Sequence, residues 1–452
     1  MNPRLCLTAL LSVASWASAW AAADPVLKSA GPGNYRQVIT TLVAGDTLVL
    51  EAGVYPRGLP LSGCNGTPEA WITIRGPEKG VAEIRQSQVA NCVELRQCSY
   101  LALKSLHIQG DGPSGVPGVF GISAKGGVEN PVHHIRIEDC TISDWCTSQQ
   151  AVGISTKAPA WDWTIRRNII RRCGTGLYLG NSNGEAPFIR GLIEHNLVHD
   201  PIGYCMEIKY QKPRPDLPGM PDSASRTIIR HNVFLKNDRP SPDGDRPNVL
   251  VGGFPDRGPG AEDTYEIYGN YFHQNPRESL LQASGRVTIH DNVFTAGHTA
   301  ISLRDHDLPL KRAHVYHNTI VSAGRGIRIA SPAAEGHAVV GNVVFADQPL
   351  ALHPSITRVS DNLTGPPGAA REHLMSPDPV PGTLDLHPKS GRCLGPPLDL
   401  SAFAAETGSL LDFDSVDKGE RRFRGAYATA GPGGGWKPGQ EVKPSPRRDG
   451  GR

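Results

Sequence analysis

Two arginines and a histidine are, by type and spacing, the residues of this chain best suited to chemistry. Arg304 ends the run Ile301-Ser302-Leu303-Arg304, Arg328 sits in Ile327-Arg328-Ile329 one repeat later, and His306 stands just past Arg304 between Asp305 and Asp307. A permanently charged, forked guanidinium suits a carboxylate, and neutral imidazole can accept a proton near neutral pH. Together they suit removal of the C5 proton of a uronic acid. Elimination then breaks the sugar chain, and reprotonation from the other face epimerises it. Both reactions need a cation on the carboxylate, without which the C5 proton is too weakly acidic, and a base, which can be His, Tyr or a lysine depressed by neighbouring cations. Arg304, His306 and Arg328 are therefore the expected catalytic residues. Tyr178, Glu207, Lys209, Tyr210, Gln282 and Asp305 are the expected substrate-binding ones. Lys209 falls three coils from Arg304, about 14 Å, which suits a neighbouring subsite rather than the same reaction centre. The competing readings are an arginine column solvated and paired by Asp305 and Asp307, and a surface Lys209–Glu207 ion pair.

The elements that must position these residues follow from a repeat. Ile165-Arg166-Arg167-Asn168-Ile169-Ile170 recurs around Asn196, Asn232, Asn270, Asn292, Asn318, Asn342 and Asn362, at intervals of 28, 36, 38, 22, 26, 24 and 20 residues. Repeats in this range mean a stacked solenoid, and the uneven intervals mean loops inserted between constant strands. Apolar residues on either side of the asparagine point inward at period two. The asparagine is expected to take a sharp left-handed turn and to stack its amide on the next in a buried ladder. A second strand follows each turn and sends Tyr178, Glu207, Lys209, Gln282, Ser302, Arg304 and Arg328 outward in one stripe. The fold class is thus all-β: a single-stranded right-handed parallel β-helix with an N-terminal helical cap, read at 35–42 with Asn34 as cap, in ten to twelve coils. Pro-rich loops at 211–222 and 238–247 and a Gly-rich one at 252–261 could wall a groove.

Composition bounds the rest. A formal net charge of +2 gives no basic field for nucleic acid, while 38% hydrophobic and 6% aromatic residues are thin for a compact globule. Arg4, an apolar run at 5–14 and Ala21-Ala22-Ala23 read as a cleaved signal over 1–23, so the chain is expected to be secreted or periplasmic. No later segment is long and apolar enough to span a bilayer. The β-helix is read over 24–365, an extension packing on it over 366–430, and a disordered tail over 431–452. Eight cysteines remain after the signal, and their count allows disulfides. Cys146 and Cys173, at similar offsets on adjacent coils, are expected to bridge or touch. A monomer is expected, with an acidic polysaccharide as partner.

Residues 35–365 resemble the pectate-lyase-like superfamily of right-handed parallel β-helices. The stretch Thr299-Ala300-Ile301-Ser302-Leu303-Arg304-Asp305-His306 resembles the strand bearing the catalytic arginine in polysaccharide lyases of the alginate lyase and chondroitinase B type, and Gly326-Ile327-Arg328-Ile329 the strand one coil later. That resemblance implies a lysine base and a calcium-binding acidic pair one coil earlier. Here that coil reads Glu278-Ser279-Leu280-Leu281-Gln282-Ala283-Ser284, without a lysine, so calcium is implied by the family alone and the metal ligands are unknown. Asp305-His306-Asp307 with Ala313-His314-Val315-Tyr316-His317-Asn318-Thr319 resembles the catalytic segment of mannuronan C5-epimerases, which have Pro where this chain has Asp305. Each local resemblance covers about thirty residues. The functions implied are, in order, a lyase cleaving a uronic-acid polysaccharide by β-elimination, a C5-epimerase, and a non-catalytic carbohydrate-binding or surface solenoid. A glycoside hydrolase ranks below these, because it needs two opposed carboxylates and the stripe offers Glu207 alone.

Overall fold

Strands that follow one another between residues 27 and 365 do not make hairpins; each pairs in parallel with the equivalent strand one repeat later, and only Leu374–Ser376 and Asp385–Pro388 of the extension pair antiparallel among the described strands. In the computed structural model, which describes residues 26–85 and 91–445, Leu27–Ala30 pairs with Thr47–Leu50, that with Ile72–Arg75, and so on through thirteen rungs to Arg358–Ser360. This is one rung beyond the expected range, and the rungs from Leu27–Ala30 through Val132–Glu138 carry no ladder asparagine. A second long sheet joins the strands after each turn, such as Ile169–Arg171, to the outward-stripe strands, such as Thr175–Leu179, by way of two long bent strands, Tyr271–Ala283 and Val293–Leu303. The chain is a right-handed parallel β-helix. The signal read at 1–23 lies outside the described residues, among which no helix is long and apolar enough to cross a membrane.

Alternation fills the interior. Ile72 and Ile74 are buried while Thr73 and Arg75 are half-exposed, and Phe234, Phe272 and Phe294 stack one above another at 5.3 and 4.6 Å between ring centres. The expected asparagine ladder is present from Asn168 to Asn362. Asn270 Oδ1 accepts from Asn232 N–H (2.9 Å) and Asn232 Nδ2 (3.0 Å), while Asn270 Nδ2 donates to the Ile229 carbonyl (2.8 Å) and to Asn292 Oδ1 (3.0 Å). The left-handed conformation, however, falls on the residue before each asparagine: Arg167, His195, His231, Gly269, Asp291, His317, Gly341 and Asp361 all have φ between 52° and 66°. The turn is made one residue early, which frees the amide to point inward. Asn270→Leu therefore strands backbone and side-chain partners on both neighbouring coils. Losing about 1–3 kcal/mol of stability is the expected outcome, read as a lowered melting temperature; an unchanged one would contradict the ladder.

The cap helix is Tyr35–Ile39, shorter than the sequence suggests, and Asn34 makes no side-chain cap bond; its Oδ1 instead accepts from Gly31 N–H (3.0 Å). The eight cysteines are free thiols. Cys146 and Cys173 lie on adjacent coils, since Gly174 N–H donates to the Trp145 carbonyl (2.7 Å). No bridge forms, because Cys173 is turned inward, where burial pushes its thiol up to about 12, whereas Cys146 is only half-buried.

The extension docks on the rod through specific contacts. Phe403 continues the Tyr268–His290–Tyr316 ring stack, 4.5 Å from Tyr316. Lys418 Nζ pairs with Asp291 Oδ2 (2.7 Å) and Arg424 with Asp361 (2.6 Å). The contacts run on into the segment read as a disordered tail: buried Lys443 donates to the Gly269 carbonyl (2.9 Å) and lies 3.3 Å from the centre of the Phe413 ring. Composition marked this segment as disordered; individual long side chains seat it up to residue 445, and residues past that lie outside the described ones.

Candidate functional site

The outward stripe exists as a column in register. Tyr178 pairs with Glu207, Glu207 with Leu250, Leu250 with Gln282, Gln282 with Ser302 and Ser302 with Arg328. Two residues further along the same strands runs a second row. There the backbone N–H groups of Lys157, Lys209, Gly252, Ser284 and Arg304 each donate to the coil before. This row is basic at both ends and small in the middle, and the small stretch determines the site.

After Arg304 the chain turns back over those small residues. Asp305 anchors the turn: its Oδ1 accepts from Leu310 N–H (2.8 Å) and Ser331 Oγ (2.7 Å). The carboxylate expected to bind substrate is thus used to hold the loop. The loop then lies on Ser284, whose Oγ is 3.4 Å from the His306 carbonyl, and on Gly253, where a Cβ would stand 2.6 Å from Leu308 Cβ. As a result Asp307 Oδ2 sits 3.9 Å from Lys209 Nζ and 3.7 Å from His306 Nε2. The two clusters that coil counting separates by about 14 Å are joined by a loop lying along the rod.

The joined cluster has unusual electrostatics. Lys209 Nζ pairs with Glu207 Oε1 at 3.2 Å. Glu207 is only 5% exposed, and burial pushes its carboxyl up against the pull of Lys209 and Lys157. Lys157, not singled out from the sequence, places its Nζ 3.5 Å from the centre of the Tyr178 ring. Burial brings its ammonium down to about 8; Lys209 pushes the same way and Glu207 opposes. The phenols of Tyr178 and Tyr204 are raised by burial and then by the Glu207 charge. Tyr210 packs beside Lys209, ring centre 5.6 Å from Nζ, over Gly184 of the neighbouring loop. Lys212 of the 211–222 loop pairs with Glu185 (3.0 Å), and Gln149 Nε2 donates to the Gly244 carbonyl of the 238–247 loop (3.3 Å).

Arg304 and Arg328 are not part of this cluster. Arg304 Nη2 reaches Gln282 Oε1 (3.3 Å) and Arg328 Nη1 reaches Ser302 Oγ (3.5 Å). Among the described residues neither has an ion pair, and Asp305 and Asp307 neutralise neither, contrary to the solvated-column reading. Of the three expected catalytic residues, only His306 joins the lysines. The signal for Lys157 lay two residues past Ser155 in Val152–Thr156, a coil without an asparagine marker. The resemblance to calcium-binding lyases finds no ligand set: Glu278 Oε2 is taken up by Ser279 N–H (2.8 Å) and Oγ (3.1 Å), and no group of three or more metal-binding side chains exists among the described residues. A hollow of about 550 Å³ lies elsewhere, within the extension beside Leu400, Glu406 and Arg421. The cluster instead lies on the outward stripe itself.

A family model described as "Right handed beta helix region" matches residues 152–345. No curated protein sequence matches the chain. Among solved structures it is similar to a PL6 family alginate lyase, AlyGC, at 14% identity and a TM-score of 0.43, over 75% of this chain and 51% of that one. It is similar to the A-module of the Azotobacter vinelandii mannuronan C-5 epimerase AlgE6 at 16% and 0.48, over 74% and 93%. It is also similar to the catalytic unit of a GH87 alpha-1,3-glucanase from Streptomyces thermodiastaticus at 16% and 0.47, over 77% and 70%. The chain spans about half the length of the alginate lyase. At these identities the likeness is one of architecture.

Proposed function

We propose that this protein is an exported lyase that cleaves a uronic-acid-containing polysaccharide by β-elimination, with its reaction centre at Lys157, Tyr178, Glu207, Lys209 and His306. The observation that carries the reading is the 305–308 loop, which sets His306 and Asp307 onto Lys209 and so adds an imidazole and a second carboxyl to the ammonium, carboxyl, phenol and depressed lysine that strand register already places on that face of the rod. Lys209 neutralises the substrate carboxylate as charge builds at C5; a grip that tightens with that charge lowers the barrier, whereas uniform binding lowers only KM. Arg304 and Arg328 then hold carboxylates of sugars further along the chain.

The test is incubation of purified protein with a panel of uronic-acid polymers, following unsaturated ends by absorbance, reducing ends, and deuterium uptake at C5 from heavy water. Unsaturated ends support elimination, deuterium uptake without cleavage the epimerase, and no change with any polymer the non-catalytic solenoid. Arg304→Ala should raise KM about tenfold at nearly constant kcat, as loss of uniform binding does; a collapse of kcat would return the reaction centre to Arg304. One observation favours a second reading. Glu207 and Asp307 both lie within 4 Å of Lys209 Nζ, so a raised carboxyl does have a second carboxylate near it, contrary to the sequence reading. Two carboxyl groups, one raised, are what glycoside hydrolysis needs, and that reaction would yield reducing ends without unsaturation.

A further inference from the structure

We propose that Lys157 is the base that takes the C5 proton and that Tyr178, beneath it, is the acid that protonates the leaving oxygen. This rests on the elimination reading above. The geometry comes from register. Tyr178 pairs with Ser155, two residues before Lys157, so the lysine leaves the second row one coil earlier and folds over the phenol ring at 3.5 Å. Gly180 occupies the row position between Lys157 and Lys209, so no side chain separates the two lysines; a Cβ there would stand 3.4 Å from Lys209 Cβ. Lys157, Tyr178 and Lys209 thus put a base, an acid and a carboxylate-neutralising cation side by side on one face of the rod.

The groups facing Lys157 are Ser155 on its own strand, Tyr178 on the next coil, and Glu207 and Lys209 on the coil after. Burial and Lys209 favour the free amine before reaction. The ring face and Glu207 receive the ammonium once it forms. In the step itself Lys157 Nζ takes the C5 proton and the C–H electron pair becomes the C4=C5 bond. The C4–O bond breaks with its pair on the leaving oxygen, which takes the Tyr178 phenol proton. Ammonium and phenolate are then restored by proton transfer through solvent. Both groups lie on one face, so the elimination is syn, and no oxidant or co-reactant is needed. With the phenol held protonated, the rate should rise with pH through about 8, where Lys157 loses its proton, and then stay level.

The experiment uses the full chain on whichever uronic-acid polymer it cleaves. Lys157→Met and Lys157→Gln should each lower kcat by about 10²-fold or more, the usual worth of a positioned base, with KM and melting temperature little changed. The rise near pH 8 should vanish, and added methylamine should restore turnover in proportion to its free base. Lys157→Arg, which keeps the charge but cannot deprotonate, should remain as poor as Lys157→Met. Wild-type activity with Lys157→Arg near full rate, or with the pH rise intact in Lys157→Met, would overturn the assignment while leaving the lyase reading in place. Wild-type protein that forms no unsaturated ends on any polymer would instead remove the reading on which it rests.

Discussion

Lys209→Met should lower kcat by about 10³-fold, roughly 4 kcal/mol of transition-state stabilisation, with the fold intact. The methionine keeps most of the stem and its packing. It removes the ammonium that Glu207 and Asp307 share at 3.2 and 3.9 Å. Glu207, already raised by burial, would respond by binding a proton rather than remaining a bare buried charge, so the coil should survive. Without the ammonium nothing neutralises the substrate carboxylate at the point where the carbanion forms. The measurement is kcat and KM beside a thermal melt. A rise in KM alone would make Lys209 a binding subsite, as coil counting from the sequence suggests.

Gly253→Val should cost about 10²-fold in activity although Gly253 touches no substrate, because misplacing a catalytic group by about 1 Å is enough for that. A Cβ at this position would stand 2.6 Å from Leu308 Cβ and 3.4 Å from its Cα. Backbone cannot swing aside as a flexible side-chain tip can, so the loop must lift from the rod. Lifting it withdraws His306 and Asp307 from Lys209. The strand Val249–Val251 and its pairings lie beneath and stay in place, so the melting temperature should fall by only a few degrees, on the order of 1 kcal/mol. Full activity in a folded Gly253→Val protein would mean that the loop does not position the chemistry.

Most of the fold is legible in the sequence because the asparagine recurs with apolar residues at fixed offsets on either side, and inward alternation admits one arrangement of such strands. Direction within a turn is less legible. The same repeat places Cys146 and Cys173 on adjacent coils but says nothing about which way each thiol faces, and the left-handed residue proved to be the neighbour of the asparagine. The site was legible as a list of residues and not as a constellation. Tyr178, Glu207, Lys209 and His306 were all picked out, but counting coils assumes that every side chain acts from its own rung. The 305–308 loop breaks that assumption, and its cause is two small residues, Gly253 and Ser284, on the coils it crosses. Lys157 escaped notice because its coil opens at Cys140, where the repeat has lost its asparagine.

The most direct measurement is a double-mutant cycle on kcat/KM, pairing His306→Ala with Lys209→Met on the polymer the protein cleaves. If the loop makes one reaction centre of the two groups, the double mutant should be scarcely worse than the weaker single mutant, a coupling of about 1 kcal/mol or more. If the losses multiply in full, the two residues act independently, and His306 and Lys209 belong to separate subsites of the groove.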